Sequence, residues 1–150
     1  MSLPRVLTRH DGQALVEMAI ATPILLLLLI GILDIALLIN VDATVTNASR
    51  EATLYATVHP TAAPSAIVSQ AAARSEPLHT ELLTVNVYYL SGATFLPWPS
   101  SGLPANSPRA QVPIAVEVSY PWSASTILIG QYIGGGSRTM TSRSTMVITW

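Results

Sequence analysis

Residues 12–39 read GQALVEMAIATPILLLLLIGILDIALLI. Over 14–39 the apolar run is broken only by Glu17, Thr22, Pro23, Gly31 and Asp34. At 1.5 Å per helical residue, about 20 apolar residues cross a hydrocarbon core. Ten Leu and Ile fall between residues 18 and 33, with no charge among them. Each favours insertion by roughly 0.5 kcal/mol, so together they contribute about 5 kcal/mol. Glu17 and Asp34 stand at the two ends of that run, where carboxylates reach the headgroups. A buried helix of a soluble protein would need apolar surface around it. The rest of this chain is dominated by Pro, Ser, Thr and Ala and offers too little. A cleavable secretory signal would have a short apolar core and a small-residue cleavage site. Here the run is longer and passes straight into Asp34-Ile35-Ala36-Leu37-Leu38-Ile39. Arg5, Arg9 and His10 precede it, so the positive-inside rule keeps the N-terminus cytoplasmic and sends the C-terminal part across.

The helical pattern continues beyond the membrane length. Val41, Val45, Ala48, Ala52 and Tyr55 recur at steps of four and three, which places them on one face. Asp42, Thr46, Asn47, Arg50 and Thr53 fall mainly elsewhere. One helix over 14–58 would be about 65 Å long, apolar all round at first and amphipathic later. Pro23 lacks the N–H that would bond the carbonyl of Ala19, which permits a kink. His59-Pro60 ends the helix, because proline disfavours the helical conformation in the residue before it.

Residues 64–74 predict a short second helix, with Ser65 as a candidate cap. Alternating apolar residues then predict three strands, at 83–89, 112–120 and 139–150. The resulting class is α+β: a long N-terminal helix, a short second helix, and a small antiparallel sheet of about three strands packed on the 41–55 stripe. Glu117 and Arg143 point outward in this reading and can pair if their strands are neighbours. The connections at 91–110 and 122–137 are rich in Pro, Ser and Gly. Trp98 and Trp122 each lie beside a proline. They serve either as exposed contacts for another subunit or the bilayer, or as caps on the edges of a small core.

Composition excludes several functions. The net charge is −1 and lysine is absent, so no basic surface is available for nucleic acid. There is no cysteine, hence no disulfide, thiol chemistry or Cys-based metal site. No nucleophile, zinc-protease, phosphate-loop or dinucleotide motif appears, and no cofactor is expected. His79 lies near Glu76 and Glu81, a pattern that usually decorates a solvated loop. No metal site is expected there.

Two segments carry a resemblance. Gly12-Gln13-Ala14-Leu15-Val16-Glu17-Met18-Ala19, with Thr22-Pro23-Ile24-Leu25-Leu26, resembles the N-terminal signature of the TadE family of minor pilins, or pseudopilins, of bacterial tight-adherence (Flp/Tad) pili. Val45-Thr46-Asn47-Ala48-Ser49-Arg50-Glu51-Ala52 is similar to that family's Asn-Ala-Ala-Arg-Glu-Gly stretch, with Ser49 and Ala52 as departures and Met18 where an aromatic is common. Specific resemblance covers about the first third of the chain.

The resemblance implies cleavage between Gly12 and Gln13 by prepilin peptidase, an aspartyl membrane protease. Glycine provides the uncrowded, extendable backbone such a cut needs. It implies three regions: a cytoplasmic leader at 1–12, a membrane and stalk helix at 13–58, and a periplasmic or extracellular head at 59–150. Glu17 would pair with the new amine of a neighbouring subunit. From its position alone, snorkelling to the headgroups is an equal reading. Glu17, Pro23, Val41, Val45, Ala48 and Ala52 are the candidate packing positions. The implied partners are the peptidase, other pilins, the Tad assembly platform proteins and, through 14–39, membrane lipid. The expected role is structural, in the bacterial inner membrane. A major filament subunit and a signal-anchored periplasmic binding protein or enzyme are the alternatives.

Overall fold

A leucine-rich run with few breakers favours an uninterrupted helix. In the computed structural model, which describes residues 9–103, 111–124 and 136–148, that helix is α1 (Arg9–Val58). Its 50 residues span about 75 Å. It starts several residues earlier than the sequence pattern suggests and takes Gly12 and Gln13 into its first turns. It runs through Pro23 without a break. The Thr22 hydroxyl donates to the carbonyl of Met18 at 2.8 Å, a local bond that suits the turn before the proline. At the other end His59 N–H bonds the carbonyl of Tyr55 at 2.9 Å, and the two rings stack with centroids 4.4 Å apart.

The second helix, α2, covers Pro64–Ala73. Its N-cap is Ala63 with no side-chain cap bond, so Ser65 is not the cap the sequence suggested. Pro64 supplies the start instead, since its fixed φ suits the first helical turn. A 3₁₀ turn at Thr80–Leu82 leads into the sheet.

That sheet has four strands rather than three: β1 (Thr84–Ser91), β2 (Thr94–Pro97), β3 (Pro113–Ser123) and β4 (Ser137–Val147), antiparallel in the order β2-β1-β3-β4. The strand not foreseen is β2, four residues long and closed by proline. It is joined to β1 by a two-residue turn in which Gly92 takes a φ of 65° and Ala93 does not go positive, the II′ pattern. The expected leader as far as residue 8, residues 104–110, residues 125–135 and the last two residues of the third expected strand lie outside the described residues.

The core forms where the upper part of α1 crosses the sheet. Val45, Ala48, Ala52 and Ala56 pack there against Ile114, Val116, Val118 and Ile148, with Ile67 and Ala71 of α2 closing one side. Both tryptophans of the described residues are buried: Trp98 donates its indole N–H to Ala62 O at 3.0 Å, and Trp122 closes the lower edge of the core. They are edge caps, not exposed contacts. Backbone bonds tie the start of the long connection to β1, from Trp98 N–H to Val87 O at 2.9 Å, and to the α1–α2 turn, from Leu103 N–H to Pro60 O at 2.8 Å.

Candidate functional site

The first third of the chain divides into two halves with different surroundings. Over residues 12–33 α1 is bare: its side chains are exposed, with Gly31 alone intermediate. Burial begins abruptly at Asp34, which is 2 % exposed. A bare helix of this length and composition is long and apolar enough to cross a membrane, and it occurs once among the described residues. It fits a single-pass anchor.

Gly12 and Gln13 lie on this bare helix. A Cβ built on Gly12 meets nothing within 4 Å, so neither packing nor backbone conformation in this structure demands glycine there. Glycine inside a helix costs about 1 kcal/mol relative to alanine. Its presence therefore needs a reason other than fold. Glu17 stands one turn above Gln13, about 6 Å along the axis, and is exposed. No cationic group among the described residues forms an ion pair with it. Pro23 is exposed midway along the bare segment.

Above Asp34 the helix presents a seam of small residues. Val41, Val45, Ala48 and Ala52 are buried, as are Ser49, Thr53, Ala56 and Thr57. These positions face the chain's own sheet, so the upper candidate packing residues are occupied within the subunit. The Ser49 hydroxyl donates to the Val116 carbonyl of β3 at 2.9 Å. That of Thr53 donates to Ser49 O at 2.7 Å and lies 3.4 Å from Ser144 O of β4. Sequence reading put Thr53 off the buried face. A hydroxyl is buried without loss when a backbone acceptor satisfies it, and periodicity of apolar residues cannot register that.

The outward side of the same segment differs. Asn47, Arg50 and Glu51 line an open cleft of about 480 Å³ with Leu54, Arg74 and Met146. The residues at 45–52 thus split cleanly: the small ones pack inward and the polar ones face solvent.

On the outer face of the sheet Glu117 and Arg143 are direct cross-strand partners of β3 and β4, as the pairing idea requires. The guanidinium does not form an ion pair with Glu117. It lies over the Phe95 ring at 4.4 Å and beside that of Tyr88 at 5.4 Å. Ala115, fully buried on this outer face, is the cross-strand neighbour of Tyr88 on β1 and of Thr145 on β4. Among the described residues no three His, Asp or Glu side chains gather as a metal-binding group.

With this geometry in place, comparison with known proteins finds that residues 12–54 match the family model of TadE-like proteins. The match runs from the bare glycine through the apolar helix to the small-residue seam, and so spans both segments that carry the resemblance. That family is a structural, pilus-associated one. No curated protein and no solved structure matches the chain.

Proposed function

We propose, from the TadE-like character of residues 12–54, that this chain is a minor pilin or pseudopilin, a structural subunit needed to assemble Flp/Tad-type pili. It is held in the bacterial inner membrane by α1, with its N-terminus in the cytoplasm and its α+β head in the periplasm. Prepilin peptidase removes residues 1–12. Other pilins and the Tad platform proteins are its partners.

The observation that carries this reading is the coincidence of the family match with a bare helix that holds a glycine serving no structural need. Cleavage after Gly12 would remove Arg5 and Arg9, two of the seven cations, and leave a free amine on Gln13. Losing the cations weakens the cytoplasmic tether. The amine gives Glu17 a partner, and a paired carboxylate in apolar surroundings fixes register where an unpaired one is strongly unfavourable. Subunit packing in this reading belongs to the lower helix, at Glu17 and Pro23, because the seam above is filled by the chain's own head.

Intact mass and N-terminal sequencing of the membrane-extracted protein, with and without the host's prepilin peptidase, test the proposal. The expected result is a Gln13 start that depends on the peptidase. An unprocessed Met1 start in both strains would reject the pilin reading in favour of a plain signal anchor.

A further inference from the structure

We infer that the underside of the head is a lipid-contact surface that rests on the bilayer α1 spans. The inference builds on the reading of α1 as a membrane anchor and adds where the head stands relative to the lipid.

The first observation is a length. The bare stretch 12–33 is 22 residues, about 33 Å of helix, and the hydrocarbon core of a bilayer is about 30 Å thick. The lipid is therefore used up by the time the chain reaches Asp34. The second is that burial under the head starts at Asp34 itself, with no spacer of polar helix between anchor and head. The head's lower rim is thereby set at the headgroup level.

The third observation is what that rim is made of. A groove of about 500 Å³ opens there, lined by Leu37, Val41, Leu82, Tyr120, Pro121 and Trp122. Leu82 is 48 % exposed on the 3₁₀ turn, and Leu37 of α1, 51 % exposed, lines the same groove. The apolar surface of the membrane helix thus continues without a gap onto the head. Val41, Tyr120 and Trp122 form the buried floor of this groove, and Leu37, Leu82 and Pro121 are its exposed apolar rim. Among the described residues no arginine lines the groove, and His79 at its rim already contacts Glu81. The surface is matched to the acyl and glycerol region of a phospholipid, not to an anionic headgroup.

The chain contains no cysteine, so single-cysteine variants can be nitroxide-labelled without background. Leu82→Cys and Ser123→Cys probe the rim, Leu54→Cys and Val68→Cys the sides of the head, and Leu27→Cys the anchor. All five positions are exposed, so the labels do not disturb the core. The full-length protein is placed in phosphatidylcholine nanodiscs, and collisions with oxygen and with a neutral nickel chelate are measured. Labels at 82 and 123 are expected to show a several-fold loss of nickel accessibility relative to 54 and 68, with oxygen accessibility retained. Rim labels as nickel-accessible as 54 and 68, with 27 in lipid, would overturn the inference and leave the anchor reading standing. Rim labels shielded from both reagents would overturn it in favour of a protein partner on this face. Nickel access at 27 would remove the anchor reading itself.

Discussion

Gly102 is held by a close approach of backbone to backbone. Its φ is 75°, and a Cβ placed there would lie 2.4 Å from the carbonyl carbon and oxygen of Thr61. Backbone cannot swing aside as a side chain can. Gly102→Ala should therefore destabilise the head by about 2–4 kcal/mol, from left-handed strain plus overpacking. Urea unfolding of the detergent-solubilised chain, followed by tryptophan fluorescence, measures it; an unchanged midpoint would refute the close approach. Ser49 is the milder case. Its hydroxyl bonds Val116 O in the buried seam, yet alanine at that place removes both the donor and its desolvation. Ser49→Ala should cost only about 1 kcal/mol, whereas Ser49→Leu should cost about 1–3 kcal/mol by forcing helix and sheet apart. The two unfolding midpoints, compared with that of the unmodified chain, should fall in that order.

Between elements, the outer sheet face poses a choice that register alone does not settle. Arg143 sits opposite Glu117 across β3 and β4 but turns its guanidinium toward Phe95 on β2. A cation over an aromatic face at an exposed site contributes about 0.5–1 kcal/mol, comparable to the most an exposed ion pair gives. Double-mutant cycles separate the two. Arg143 and Phe95 should couple by about 0.5–1 kcal/mol, and Arg143 and Glu117 by close to zero. The reverse ranking would place the guanidinium on the carboxylate. The same contact explains how a strand as short as β2 stays in place: it is held by the II′ turn on one side and by Arg143 reaching across from β4 on the other.

At the scale of the whole molecule, the subunit is one helix doing two jobs. Its lower half is apolar on nearly every side and fits a membrane anchor. Its upper half is the spine of the head. Glu17→Ala separates anchoring from assembly, since removing a carboxylate at the end of the apolar run makes insertion no harder. The variant protein should stay in the membrane fraction, and pilus formation should fall at least tenfold when surface pili are counted. Full piliation by Glu17→Ala would mean that the helix is only a tether.

Much of this architecture follows from sequence because it rests on local, repeating signals. A continuous apolar run fixes the length and place of the bare helix. Period-four spacing marks Val41, Val45, Ala48 and Ala52 as one face, and period-two spacing marks β1, β3 and β4. Gly12, Gln13, Glu17 and Pro23 stand out only through the resemblance of their segment to a family signature, and their roles in cleavage and subunit packing belong to the proposal. What only the tertiary structure decided were matters of long-range satisfaction. Ser49 is buried because β3 brings a carbonyl to its hydroxyl, and Thr53 because its hydroxyl bonds Ser49 O within the helix while β4 packs over it. Trp98 is a cap because Ala62 O lies within reach of its indole. Arg143 faces Phe95 because β2, too short and too proline-bound to announce itself, folds back beside β1. Periodicity reports which side of an element is apolar. Which polar atom finds a partner across the fold depends on distances between segments far apart in the chain, and those exist only once it has folded.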